Sequence, residues 1–311
     1  LSVAKVGDNS AEGRVIYTNF LDEDGGVHAD LTISRLGSNR YRIVTGGADG
    51  NRDWVTLRNY RDDMGLEANI NIRTHDIATL GLWGPKAKDA LGHFVDPNEV
   101  SIENFPFATA KYLTLSLSGG KKIDVWAARI SYVGESGWEI YLNNDSEEGL
   151  ALYDSLLEVG VVPVGIETYA NSRRLEKSFR LQGADLESDY NACESAIQRG
   201  LVKKADFHGK AAHLSHREEE PSAILCTMTI DDLNVSGKTR YPLGNSPIID
   251  PATGEVPVDS KGRRSYSTGM SYCPSLRKHV VMGYLPKNIA IPGKSLLLEY
   301  FNENGDGIYP M

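Results

Sequence analysis

The stretch Arg129-Ile130-Ser131-Tyr132-Val133-Gly134-Glu135-Ser136-Gly137-Trp138-Glu139-Ile140-Tyr141-Leu142 sets the reading of the whole chain. Its apolar residues recur with period two on either side of a glycine-bounded turn, which predicts strand, turn, strand. On the second strand Trp138, Ile140 and Leu142 share one face, and Glu139 and Tyr141 take the other. A carboxylate between two large apolar residues is either an ordinary solvent-facing strand residue or a buried anchor. The pattern alone leaves both open.

Upstream, Gly25 to Ile33 alternates in the same way. Val27, Ala29, Leu31 and Ile33 form one face, and His28, Asp30 and Thr32 the other. Arg40 to Thr45 reads as the partner strand across Gly37-Ser38-Asn39. A helix is expected from about Asp53 to Met64, a strand over Ile77–Trp83, and a helix over Pro85–Phe94 with proline in its first turn. Lys111–Leu117 and Lys121–Tyr132 read as a hairpin over Gly119-Gly120. Downstream, Ser146–Val159 carries Leu150, Tyr153, Leu156 and Leu157 at helical spacing. Thr168–Phe179 predicts a further helix. The charged run His216-Arg217-Glu218-Glu219-Glu220-Pro221 marks a boundary. Beyond it Ala223–Ile230, Tyr266–Tyr272, Val280–Leu285 and Ser295–Tyr300 read as strands joined by turns. The expected layout is α+β over residues 1–215, antiparallel sheets with flanking helices, then a small all-β barrel or jelly-roll-like domain over 222–311.

The 311 residues suffice for two domains with real cores. Glycine is about 10% of the chain, and 15 tyrosines outnumber 7 phenylalanines, which suits a turn-rich fold with a lined pocket. A formal charge of −9 gives no global positive field to attract nucleic acid or an anionic membrane. An anionic ligand would need a local basic pocket. Three scattered cysteines make neither a disulfide framework nor a metal knuckle, and a reducing compartment is expected. No apolar run reaches the length of a membrane span. The start, Leu1-Ser2-Val3-Ala4-Lys5, is neither a signal peptide nor an initiator methionine, and reads as a cut inside a longer chain.

Familiar catalytic signatures are mostly missing. There is no GxSxG, HExxH or GxGxxG. Gly46-Gly47-Ala48-Asp49-Gly50 reads as a glycine-rich turn before a helix. Ser236-Gly237-Lys238-Thr239 ends like a phosphate loop, but Asp232 stands where the leading glycine belongs and Pro242 blocks a helix start, so it reads as a turn. Asn234-Val235-Ser236 fits a glycosylation sequon without a secretory context. His213 and His216, three apart, read as a solvated helix end and not as a metal site. Asp30 and the Arg173-Arg174-Leu175-Glu176-Lys177 run are, on pattern alone, ordinary solvated positions.

In order along the chain, the segments resemble the glycine-cleavage T-protein (aminomethyltransferase) family. Tyr17-Thr18 followed by Leu21, Gly25-Gly26 and Asp30-Leu31 is similar to the family's "YT…L…GG…DL" signature. Leu80-Gly81-Leu82-Trp83-Gly84-Pro85-Lys86-Ala87 resembles its "L.GP.A" turn. Arg129 to Glu139 resembles its "R..Y.GE.G.E" hairpin, and Arg174-Leu175-Glu176 its "RLE" helix. Phe207-His208-Gly209-Lys210 and Gly283-Tyr284-Leu285-Pro286 complete the set. Arg174 to Lys177, then Arg180 and Gly183-Ala184-Asp185, looks closest to the C-terminal half of flavin-linked dimethylglycine and sarcosine dehydrogenases. The "KGCYxGQE" signature of the family's non-enzymatic branch is missing.

The resemblance implies tetrahydrofolate binding and one-carbon transfer. By it, Glu139 anchors the pterin edge as a bidentate acceptor. Asp30 is the catalytic carboxylate near N5 and N10. Tyr17 and Tyr132 shape the pocket, and Val44 offers backbone contact. T-proteins usually carry an arginine at the position of Ala170; here Arg173, one turn on, is the substitute. The family fold also has a further segment before the Tyr17-Thr18 motif, so the resemblance implies an N-terminally truncated domain. The implied partners are a small methylated amine, folate, and an upstream flavin domain or subunit; FAD would belong to that domain, not to this chain. Metal, nucleic acid and membrane are not implied. The implied compartment is the cytoplasm, or the mitochondrial matrix. The rival readings are a stand-alone T-protein fed by a lipoyl carrier, a folate-dependent O- or S-demethylase, and a folate-binding regulator without turnover.

Overall fold

The structure, a computed structural model, describes residues 1–6, 10–144, 146–197, 202–230, 244–299 and 308–310. The Ser236–Thr239 motif and the Asn234 sequon lie outside the described residues. The chain divides into two compact units. One comprises Ala4–Thr18 and Leu31–Val164; the other comprises Leu1–Val3, Asn19–Asp30 and Gly165–Met311.

The strands β1 (Val15–Leu21), β2 (Val27–Gly37) and β3 (Arg40–Thr45) form a three-stranded sheet in that order, with β2 and β3 antiparallel. The alternation expected for β2 is present: Val27, Ala29, Leu31 and Ile33 are buried, and His28, Asp30 and Thr32 are half-buried. In the unit built around 31–164, β3 leads into α1 (Gly50–Asp63). A second, fully antiparallel sheet follows. It contains β4 (Ile77–Trp83), β5 (Ala110–Ser116), β6 (Lys122–Ala128) and β7 (Gly137–Asn143) in the order β4-β7-β6-β5. One face of this sheet makes the main core. Trp138, Ile140 and Leu142 of β7 pack there with Leu91 of α2 (Ala87–Leu91) and Leu152 and Leu156 of α3 (Ser146–Glu158).

Three expectations are corrected in this unit. The strand expected through Tyr132 stops at Ala128. Arg129 turns its guanidinium inward to the carbonyls of Phe105 (2.7 Å) and Ser101 (3.2 Å), and the backbone leaves the sheet. The helix expected over Pro85–Phe94 keeps only five residues, because Gly92 caps it. Helix α3 buries Leu152, Ser155 and Leu156, whereas Leu150, Tyr153 and Leu157 face outward.

The other unit holds the irregular helix and the C-terminal sheets. Thr168–Arg173 is a π-helical turn running into α4 (Arg174–Glu176), not the regular helix expected over 168–179. The N–H of Arg174 goes to the Asn171 carbonyl, while its side-chain Nε takes the Ala170 carbonyl at 2.8 Å that an α-turn would have used. Helix α5 (Lys210–Glu218) precedes β8 (Ala223–Ile230). Strands β9 (Ile248–Ile249), β10 (Ser267–Cys273), β11 (Lys278–Pro286), β12 (Leu297–Glu299) and β13 (Ile308–Pro310) follow. They form two three-stranded sheets, β10-β11-β8 and β13-β12-β9. The fold is α+β with antiparallel sheets, and among the described residues the C-terminal sheets do not close into a barrel.

His213 is not at a solvated helix end. It is fully buried, near Phe207, and neither ring nitrogen has a hydrogen-bond partner among the described residues. Burial, with Arg217 and His216 adding to it, pushes its pKa down to about 4. The folded value lies below the unfolded one, so the unfolded chain takes up the proton first as pH falls. Stability is therefore full above about pH 6.5 and is lost as pH falls through the window to about 4. We expect His213→Leu to remove roughly 3 kcal/mol of the stability difference between pH 7.5 and pH 4. Urea midpoints of both proteins at the two pH values check this.

Candidate functional site

Glu139 stands in the middle of β7. Its direct neighbours on the flanking strands are Gly81 of β4 and Ala128 of β6, so neither neighbour carries a bulky side chain of its own beside the carboxylate. Directly opposite pairs share a sheet face. The missing Cβ of Gly81 is used by Trp83, whose ring folds over it; a Cβ there would lie 2.1 Å from the indole. Trp83 is fixed by its Nε1–H, which donates to the Ile130 carbonyl at 2.9 Å. At the start of β7, Gly137 passes so close to β4 that a Cβ would lie 1.9 Å from the Leu82 carbonyl oxygen. Two glycines thus set the register of β4 on β7 and the indole next to Glu139.

On the other side of the carboxylate, the Tyr141 hydroxyl donates to Glu139 Oε2. The Tyr141 ring packs on Trp126, with centroids 5.1 Å apart, and Val44 of β3 packs on the same cluster. Burial pushes the Glu139 carboxyl pKa up, and the Tyr141 hydrogen bond pulls it back only in part. The result is a desolvated carboxylate between two aromatic side chains, with one oxygen held by a phenol. Such a group is suited to accept two adjacent N–H donors from a flat heterocycle.

Two cavities, of about 450 and 430 Å³, lie in the other unit. The first runs along Cys226–Thr229 of β8 and the 289–296 loop. The second is bounded by Asp24, Asp189, His216 and Lys261. Neither is lined by Tyr17, Asp30, Val44, Tyr132, Glu139 or Arg173.

Residues 3–205 match the GCVT N-terminal domain. The chain belongs to the GCVT family. It is 30% identical over 302 residues to human mitochondrial dimethylglycine dehydrogenase, covering 94% of this chain and 32% of that protein. It is also 30% identical to the aminomethyltransferase of Symbiobacterium thermophilum, covering 89% of this chain and 69% of that one. The chain thus spans about a third of the length of the dehydrogenases it matches. The glycine cleavage system aminomethyltransferase T of Bartonella henselae shares its fold, with a TM-score of 0.76 at 22% identity over 97% of this chain and 75% of that one.

All six residues singled out from the sequence fall within the GCVT match, but in two units. Val44 joins the cluster around Tyr141, beside Glu139. Tyr17 of β1 is half exposed, and Tyr132 is half-buried in the irregular segment after β6. Asp30 belongs to the other unit, half-buried on β2. Arg173, also there, pairs with Glu176 at 2.9 Å and donates to Ser275 Oγ at 3.0 Å. Its neighbour Arg174 is no candidate for an anionic tail, because it is fully buried and ion-paired with Asp185. Sequence reasoning missed Trp83, Gly81, Ala128 and Trp126. The alternation of Leu80 and Leu82 against Gly81 and Trp83 was the one local signal for the first two.

Proposed function

We propose that this chain binds tetrahydrofolate and transfers a one-carbon unit from an N-methyl amine of the dimethylglycine or sarcosine type, as a module of a larger flavin-dependent demethylating dehydrogenase. The observation that carries the reading is the half-buried, desolvated Glu139 carboxylate, steadied by Tyr141, with Trp83 folded over Gly81 on one flank and the small Ala128 on the other. Its donor chemistry fits a pterin edge, which presents adjacent N–H groups and a flat ring for Trp83 and Tyr141. Similarity to dimethylglycine dehydrogenase along nearly the whole chain supports the substrate class. Tetrahydrofolate, when bound, supplies the N5 nucleophile that captures the carbon unit as 5,10-methylenetetrahydrofolate.

In this reading Glu139 binds and orients the pterin, with Tyr17, Tyr132 and Val44 lining the pocket. Asp30 accepts the N10–H and stabilises positive charge on the incoming carbon unit. Arg173 meets the anionic tail. Any FAD belongs to an upstream flavin domain or subunit. Residues 1–215 form the folate-binding domain and 222–311 the all-β domain, working in the cytoplasm or the mitochondrial matrix. Among the described residues no helix is long and apolar enough to cross a membrane.

Asp30→Ala is expected to slow folate-dependent transfer at least a hundredfold, the scale of a lost general acid–base group, with folate affinity reduced less than about threefold. Tetrahydrofolate titration and single-turnover product analysis on the full-length enzyme check this; an unchanged rate would remove Asp30 from the mechanism. The similarity to aminomethyltransferases favours a second reading, in which a carrier-bound aminomethyl group is the donor. Activity with a lipoylated carrier and none with N-methylglycines would install it. Methyl in place of methylene product would indicate an O- or S-demethylase, and folate binding without turnover a regulator.

A further inference from the structure

Beside the Glu139 site, on the Trp126–Tyr141 pair, an arginine stands without an ion-pair partner among the described residues. Arg42 of β3 lies with its guanidinium 4.2 Å above the Trp126 ring and 5.7 Å from that of Tyr141. None of its five N–H donors reaches a protein acceptor among the described residues, and Nη1 is sealed from solvent without a partner. Its direct neighbour across the β2–β3 ladder is Ser34, which is 1% exposed and whose hydroxyl is also unpartnered. Two adjacent orphaned donors are unusual, because buried polar groups are nearly always satisfied.

The charge around Arg42 is equally one-sided. Arg40 and Arg73 lie close enough to push its pKa down, adding to burial, and Tyr112 and Tyr141 also face it. Arg40 is exposed and has no ion pair among the described residues. Asp76 is engaged by Arg73 Nε at 2.7 Å, and Asp124, two residues from Trp126, takes the Thr114 hydroxyl at 2.6 Å. Three arginines converge, of which Arg73 alone has an ion-pair partner among the described residues, in a chain whose net charge is −9. Arg40 and Arg42 push against each other with no carboxylate paired to either among the described residues, and a guanidinium stacked on aromatics presents its edge for bidentate contact. We propose that Arg42, Arg40 and Arg73 form a binding site for a small oxyanion, a phosphate or a carboxylate, on the Trp126–Tyr141 platform. The site does not depend on the folate reading.

The test uses the intact chain without folate, with sodium phosphate or tri-γ-glutamate titrated against sodium chloride at matched ionic strength. Thermal midpoint and tryptophan fluorescence are followed, Trp126 being the ring beneath Arg42. At a hundredfold excess over Kd, one or both anions should raise the midpoint by about 5 °C relative to chloride. Phosphate alone would identify a free inorganic anion, and triglutamate a carboxylate-bearing chain. Arg42→Met should abolish both signals. The double variant Arg40→Ala/Arg73→Ala changes only exposed side chains, so it tests the site even if Arg42→Met fails to fold; its affinity should fall at least tenfold. No response beyond chloride, an equal response in Arg42→Met, or unchanged affinity in the double variant overturns the site.

Discussion

Glu139→Gln is expected to weaken tetrahydrofolate binding about a hundredfold while making the free protein more stable at pH 8. The binding loss follows from charge and donor count. The carboxylate offers two acceptor oxygens to two N–H groups, and charge-assisted hydrogen bonds contribute about 1.5–3 kcal/mol each. The amide keeps one acceptor and turns an NH₂ toward a donor, so about 3 kcal/mol, or two powers of ten, is lost. The stability gain follows from the raised carboxyl pKa. In the window between the unfolded carboxylate value and the higher folded value, the folded state holds the extra proton. Stability therefore falls as pH rises through that window, and above it the ionised carboxylate is a standing cost of the unliganded fold. Glutamine has no such cost, so the two proteins should converge in acid and separate toward pH 8. Fluorescence titration and thermal melts at pH 4 and pH 8 measure both arms. Unchanged affinity would detach Glu139 from the ligand; equal melts at pH 8 would mean its charge is not a burden.

The same position shows what could be read in advance. The face of β7 that carries Glu139 was legible because strand alternation is local. So was the β2 face with Asp30, for which the burial of Val27, Ala29, Leu31 and Ile33 follows the sequence step for step. The desolvation of Glu139 was not legible, because it depends on which residues lie beside it on β4 and β6. Gly81 and Ala128 are small by sequence, but only the register sets them beside Glu139, where Trp83 folds over the glycine. Helix α3 fails for a related reason. Its leucines fall on two overlapping stripes, and the one that packs on the sheet includes Ser155, which no hydrophobic pattern selects. His213 carries no local sign of burial either. The π-turn at Thr168–Arg173 accompanies hydrogen bonds to residues far along the chain, such as the Ser172 hydroxyl to the Tyr272 carbonyl at 2.8 Å, which no window of sequence contains.

Those long-range bonds lead to the second large effect: Arg174→Met is expected to destabilise the protein by about 3–5 kcal/mol. Arg174 and Asp185 are both fully buried and paired. Arg174 also donates to the Phe179 carbonyl at 3.0 Å, besides the Ala170 carbonyl. Asp185 accepts the Leu181 N–H at 2.9 Å and the Thr268 hydroxyl, and its own carbonyl takes the Tyr284 hydroxyl at 2.7 Å. Gly269 of β10 leaves the room this needs, since a Cβ there would lie 2.6 Å from Arg174 Nη2. One ion pair thus joins the π-turn, the 179–185 loop, β10 and β11. Methionine fills the volume but leaves a buried carboxylate whose remaining partners carry no charge. Adding Asp185→Leu removes that charge, yet it orphans the Leu181 N–H and the Thr268 hydroxyl, at about 1–3 kcal/mol for each unsatisfied group. The double variant should therefore stay less stable than the parent, but by at least about 2 kcal/mol less than the sum of the two single losses, as coupled residues in one network require. Urea unfolding of the four proteins gives the coupling directly. Additive losses would mean that the two groups are held independently and that the π-turn does not depend on their pairing. Strong coupling together with unchanged ligand affinity in the folded fraction would assign the pair to the fold alone.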